Sequence, residues 1–288
     1  MNSRFHSHID TIKTKEPKSN RGNEDSHIRG ASGYTSGDNI ITKYNPNNYS
    51  KNYKLNVSIS ETNEILKNMI TELTTIDINA VNYSRVDVAT DIAIPFADIS
   101  KFLELIHKCI GIASNFKDVK YKRITDTTTQ ETESYVLKSN MLEVEFYDKH
   151  KESKKIAPYP TRLEIRFLRI KSKNLTLHIN NAIKLWRKVP DYLEEAEKTT
   201  IEMLKSLYTE EVKFKKVVNF GEFVCRYQEL IFTRHILEEL YKCSNLKDTF
   251  KNWLSRYKEK HTIIFHTKTE VKTFVKDVIK SLKNYIKK

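Results

Sequence analysis

The sequence predicts an α+β fold: an antiparallel-rich sheet with helices packed on one face, followed by a mostly helical C-terminal region. Three observations carry this. Short stretches such as SRVDVATDI, MLEVEFYDK and TRLEIRFLRI alternate apolar and polar residues, as strands with one buried face do. Between and before them, apolar residues recur at helical spacing. Beyond Asn174 the period is helical to Lys288, with breaks expected near Pro190, Gly221 and Ser244.

In chain order, residues 1–44 hold four of the six glycines, are rich in Ser, Asn and Asp, and lack an apolar period. That composition predicts a disordered arm. Tyr53, Leu55, Val57 and Ile59 then alternate with polar neighbours, which predicts a strand. A helix should follow, with Ser60 as N-cap and Ile65, Leu66, Met69, Ile70 and Leu73 on its apolar face. After the strand SRVDVATDI and Pro95, Ile99, Phe102, Leu103, Ile106 and Ile110 form the stripe of a second helix. Residues from about Asp118 to Thr132 are polar and fit a hairpin or loop, and two further strands follow. The expected division is an arm at 1–44, an α+β unit at 45–174, and a helical, basic region at 175–288 for DNA binding or dimerisation.

Composition narrows the function. The net charge of +13 and the pI near 9.4 point to a polyanionic partner. With only Gly111 and Gly221 left outside the first segment, a Walker loop or a dinucleotide-binding glycine fingerprint is excluded, so no small-molecule cofactor is expected. No apolar run is long enough to cross a bilayer and no secretory leader is visible, so a cytoplasmic protein away from membranes is expected. Cys109, Cys225 and Cys243 have no paired spacing and read as reduced core thiols.

Strand alternation sorts side chains by face whatever the order of the strands. Val86, Val88 and Ile92 oppose Arg85, Asp87, Ala89 and Asp91; Val144 and Phe146 oppose Glu143, Glu145, Tyr147 and Lys149; Leu163, Ile165 and Phe167 oppose Arg162, Glu164 and Arg166. Laid side by side, the polar faces gather carboxylates, arginines, a lysine and a tyrosine, a mixture suited to phosphodiester chemistry. Carboxylates bind Mg²⁺ or Mn²⁺, arginine grips phosphate bidentately, and a tyrosine can form a phosphodiester that stores the energy of the broken bond. A solvated antiparallel face with ordinary cross-strand Glu–Arg pairs gives the same alternation.

At YSRVDVATDI, SYVLKSNMLEVEFYDKHKES and PTRLEIRF the sequence resembles the Rep_trans family, replication initiators of small rolling-circle plasmids. The likeness runs from about Tyr53 to Lys173, a little under half of the chain. It implies a metal-dependent enzyme that nicks and rejoins one strand of a plasmid or phage origin, with Tyr147 in FYDKHKE as the nucleophile. It further implies Asp87, Asp91 and Glu164 as acids of a Mg²⁺ or Mn²⁺ site, and a host helicase and polymerase as partners after nicking. Three features depart from the family pattern: Val136, Leu137, Lys138, Ser139 and Asn140 stand where a glycine and a serine-rich, arginine-bearing turn is usual, Glu145 stands where Arg is common, and Arg166 where a second acid is common. Phosphate-positioning charges swapped between strands would account for the last two, and a diverged plasmid or phage relative for all three. A non-catalytic DNA-binding regulator is the alternative, and a mobilisation relaxase a nearer one.

From Lys149 to Lys188 twelve basic residues face two acids, and Arg85, Lys149, Lys151, Lys154, Lys155, Arg162 and Arg166 are the expected phosphate contacts. The basic stretch Lys251–Lys288 fits a helix docked by its apolar stripe with lysines outward; gripping duplex DNA beside the nick, lying on an anionic membrane and binding a partner helix, including that of a homodimer, are its other uses. The other rolling-circle class, with two histidines around an apolar residue, is not expected. His6, Ser7 and His8 have a polar middle residue and fall in the expected arm. His150, close to Tyr147, points to the other face if the strand continues.

Overall fold

Residues 4–17, 30–36, 38–49, 58–73, 81–113, 120–125, 132–155, 157–214, 216 and 219–287 are described by the computed structural model. The first of these corrects the expected arm. Phe5–Pro17 forms β1, Ala31–Ser36 forms β2 and Asn39–Tyr44 forms β3. Ile9, Ile12 and Tyr44 are fully or almost fully buried. The segment does carry apolar residues, but their period is broken: a register shift between Ile9 and Thr11 inserts Asp10 as a bulge, so core positions fall three apart rather than two.

A short helix, α1 (Pro46–Tyr49), and α2 (Ile59–Leu73) come next. The expected strand at Tyr53–Ile59 lies mostly outside the described residues, and Ile59 opens the helix. The cap is Ser58 rather than Ser60. Its Oγ accepts from Glu61 N at 3.1 Å while Glu61 Oε2 accepts from Ser58 N at 2.6 Å, a reciprocal box. Then follow β4 (Asn82–Ile92), α3 (Phe96–Ala113), β5 (Lys120–Thr125), β6 (Thr132–Lys138), β7 (Leu142–Asp148), the single turn α4 (Lys149–Glu152) and β8 (Thr161–Leu168). The eight strands make one sheet in the order β2-β3-β1-β4-β8-β7-β6-β5, each pair antiparallel.

The C-terminal helices are α5 (Leu175–Lys213), α6 (Phe220–Arg226), α7 (Arg234–Tyr241), α8 (Phe250–Lys260) and α9 (Lys268–Lys287). Pro190 does not break α5, which runs through it. Trp186, Val189 and Leu193 are buried on both sides of the proline, and that packing outweighs the lost N–H bond. The helical region also divides differently from the expected boundary at 175. The first half of α5 and all of α9 pack with α2 and α3 against the sheet, whereas Ile201 and Leu204 of α5 join α6, α7 and α8 in a second core. Tyr285 of α9 ties back to α2 through a 2.7 Å hydroxyl contact with Thr62. Of the three cysteines only Cys109 is buried; Cys225 and Cys243 are exposed. No helix among the described residues is long and apolar enough to cross a membrane.

One face of the sheet is therefore wholly committed to packing. Phe146 of β7 stacks on Trp186 of α5 at 6.0 Å, and His107 of α3 meets the same phenyl ring edge-on at 5.2 Å. The His107 Nε2 lies 3.1 Å from the Val144 carbonyl, and burial pushes its imidazole down to about 4 from 6.5. The folded state holds His107 neutral, so its contribution is fully present above pH 6.5 and is lost as pH falls toward 4. At most about 3 kcal/mol is at stake. Denaturant melts at pH 7 and pH 4.5 should show that loss, and His107→Leu should flatten the slope in this window. Phe146→Ala should lower stability by about 3–5 kcal/mol at either pH.

Candidate active site

The registers carry the polar face directly. Across β1, β4, β8 and β7 the aligned rows read His6, Asp91, Arg162, Tyr147; then His8, Ala89, Glu164, Glu145; then Thr11, Asp87, Arg166, Glu143. Asp87, Glu164, Arg162 and Tyr147, taken from the sequence by face alone, thus meet on three neighbouring strands. Asp10, two residues on from His8 at the β1 bulge, adds to this face a residue from the segment expected to be an arm. Carboxylate oxygens of Asp10, Asp87 and Glu164 all lie within 4.8 Å of one another, and all three residues are buried. This trio can hold a metal ion, and its donors are of the hard oxygen type that suits Mg²⁺ or Mn²⁺.

Asp91 is used differently. Arg162, only 1% exposed, donates to Asp91 through Nε at 2.6 Å and Nη2 at 3.0 Å, and through Nη1 to Asp10 at 2.5 Å. The guanidinium therefore joins β1 and β4 to its own strand and faces no solvent. Burial acts to raise the Asp10 carboxyl, but the Arg162 charge, with His8 and Lys149 adding to it, outweighs burial and holds the group well below the usual range. Arg85 forms a bidentate pair with Asp87 at 2.6 and 2.5 Å. Arg166 donates to Glu164 at 3.1 and 3.0 Å, reaches Glu145 at 2.5 Å, and also pairs with Glu143. The two unusual charges of the sequence, Glu145 and Arg166, thus neutralise each other across strands.

The face still carries excess negative charge. Asp10, Asp87, Asp91, Glu143, Glu145 and Glu164 meet the three guanidiniums of Arg85, Arg162 and Arg166, with Lys138 joining Glu143 at the rim. Burial first, then the charge of Glu164, push the Asp87 carboxyl up to about 8 against the pull of Arg85. A bound dication would relieve that repulsion.

Tyr147, 9% exposed, donates its hydroxyl to Glu164 Oε2 at 3.2 Å, and the Lys149 ammonium sits 5.6 Å from its ring centre. Burial, and after it the Glu164 charge, raise the phenol well above its ordinary value, while Arg162 pulls the other way. Lys149 is buried and paired with Glu152 at 2.5 Å; Lys151 pairs with Glu133 at 3.7 Å. Lys154 and Lys155 are exposed, in left-handed backbone at φ 51° and 65°. His150 spends Nε2 on the Ala157 carbonyl at 3.0 Å and takes no part in the cluster. Of the expected phosphate contacts, the three arginines are occupied by carboxylates, and Lys154 and Lys155 present open charge.

No protein-family model and no curated protein matches the chain. Among solved structures, the rolling circle replication initiator protein from Geobacillus stearothermophilus is similar over 96% of this chain and 97% of its own, at 13% identity and a TM-score of 0.39.

Removing Arg162 leaves Asp10 and Asp91 buried without their hydrogen-bonded cation. Arg162→Met should destabilise the protein by roughly 3–5 kcal/mol, whereas Lys151→Ala, at a solvent-screened pair, should change stability by less than about 1 kcal/mol. Urea melts of the two variants decide this, and similar losses for both would contradict the clamp.

Proposed function

We infer that the chain is a replication initiator of the rolling-circle type, which nicks one strand of origin DNA through Tyr147 and later rejoins it. The observation that carries this reading is the Tyr147 hydroxyl bonded to Glu164, itself one of three converging buried carboxylates. A tyrosine on a plain solvated sheet face has no need of such company. Asp10, Asp87 and Glu164 would hold Mg²⁺ or Mn²⁺, which when bound supplies positive charge at a phosphoryl oxygen.

The chain's own residues account for the rest. Tyr147 Oη attacks the phosphorus while its proton passes to Glu164 Oε2, to which it is already hydrogen bonded. The P–O3′ bond breaks, the 5′-phosphate stays on the tyrosine, and the 3′ oxygen leaves as a hydroxyl with a proton from water. Attack by a 3′-hydroxyl reverses the sequence and closes the strand. The arginines keep the carboxylates fixed during this exchange, and exposed lysines from Lys154 to Lys188 supply salt-sensitive, sequence-independent grip on the backbone. A host helicase and polymerase would then act at the free 3′ end.

The test is incubation with Mn²⁺ or Mg²⁺ and supercoiled plasmid bearing the DNA that flanks the coding region, followed by a denaturing gel. Nicked circles and a covalent protein–DNA adduct are expected. Tyr147→Phe should lose both while its gel-shift affinity stays within about twofold, since phosphate contacts dominate binding. Cleavage by that variant would refute the nucleophile. Binding by the wild type with no adduct would favour the non-catalytic regulator.

A further inference from the structure

We propose that His8 is a nitrogen ligand of the metal centre, which makes the site a mixed histidine–carboxylate one with a preference for Mn²⁺ over Mg²⁺. The proposal rests on the reading that Asp10, Asp87 and Glu164 hold a divalent cation.

His8 is 4% exposed, and neither ring nitrogen has a hydrogen-bond partner. Its ring nitrogens face two site acids: Nε2 lies 3.8 Å from Asp10 Oδ1 and Nδ1 lies 3.9 Å from Asp91 Oδ2. Both separations exceed hydrogen-bond reach. Buried imidazoles normally satisfy at least one nitrogen, as His107 and His178 do here with backbone carbonyls at 3.1 and 2.8 Å. An imidazole that satisfies neither, while aimed at a carboxylate cluster, is arranged to give a lone pair to something that is not a protein atom. Metal–donor bonds of roughly 2.1 Å place two ligand atoms of one ion about 3–4 Å apart, and the His8–Asp10 separation falls in that span.

The strand geometry agrees. His8 shares a register row with Glu164, and the residue between them is Ala89, whose methyl leaves the floor of the face low. His8 and Asp10 lie two residues apart on β1 and so share its polar face, and the bulge at Asp10 returns the chain to register with Ile12 in the core. His6 lies on that face as well, but it stacks on Tyr159 with ring centres 6.2 Å apart and is not assigned to the ion. Ser7 between them turns to the core, where its hydroxyl meets that of Thr90 at 2.8 Å. One imidazole donor shifts selectivity away from Mg²⁺, which favours an all-oxygen shell, toward Mn²⁺ and later first-row ions.

The experiment is pulsed electron paramagnetic resonance of Mn²⁺ bound to the full chain without DNA, beside calorimetric titration with Mn²⁺ and with Mg²⁺. Wild-type protein should show ¹⁴N modulation that changes to the ¹⁵N pattern when histidine alone is labelled, a result that needs no variant. His8→Asn should abolish the modulation and weaken Mn²⁺ at least about tenfold with Mg²⁺ weakened less than about threefold, while His6→Asn keeps the modulation. Mn²⁺ bound without nitrogen modulation, or modulation that survives His8→Asn, overturns the ligand but leaves the carboxylate site standing. Failure of Mn²⁺ and Mg²⁺ alike to bind, with Asp87→Asn no different from wild type, overturns both.

Discussion

The buried guanidinium of Arg162 sets the terms for everything else on the polar face. From β8 it contacts both Asp10 of β1 and Asp91 of β4, and it does so with almost no solvent access. An arginine cannot lose its charge in a protein, so the bonds that join β8 to β1 and β4 persist at every pH at which the carboxylates are charged. A slip of β1 by one residue would carry His8 and Asp10 to the wrong face and Ile9 and Ile12 out of the core. Arg162 is consumed in holding the sheet together, whereas Lys154 and Lys155, which follow Tyr147 closely in sequence, stand in open solvent.

Rigidity of the face comes from the opposite side of the sheet. Val88, Ile165 and Val144 form the core row beneath the polar rows, and α3, α5 and α9 close over it. A carboxylate trio tolerates little movement, since burial raises Asp87 first and the repulsion from Glu164 that adds to it changes steeply with separation. The long α5 also links this core to the second one, because its own buried residues belong to both. A basic helical unit is thus connected to the site by a continuous helix that Pro190 does not interrupt.

Period-two alternation is enough to locate most of the site. It places Asp87, Glu164, Arg162, Arg166 and Tyr147 on common faces because β4, β7 and β8 are regular, and the registers agree. It misses β1 for a physical reason. The bulge resets the period at Asp10, Ser7 occupies an inward position where an apolar residue would have signalled a strand, and the glycines of the segment lie beyond it. The spacing Phe5, Ile9, Ile12 is the available signal, legible only if a bulge is allowed. Face assignment also cannot separate Asp87 from Asp91. Both point the same way, and only the cross-strand neighbour decides that one is clamped by Arg162 while the other joins a cluster. Pro190 misleads in the opposite direction, since local propensity yields to burial on both sides of it.

The state of Tyr147 fits a nucleophile that stays silent until its substrate arrives. In the resting site its hydroxyl is bonded to an anionic neighbour and enclosed, and both factors keep the proton on the oxygen. A free phenol ionises near pH 10, so an exposed and unrestrained tyrosine would already be a poor nucleophile at neutral pH; here the barrier is set higher still. On the proposed reading the same Glu164 that suppresses the phenolate is the group that receives the proton once positive charge and a phosphodiester arrive together. Suppression and activation then reside in one hydrogen bond, and the balance between them is set by the net charge of the carboxylates around it. On that reading strand cleavage is confined to the moment when the centre and the DNA backbone are both in place.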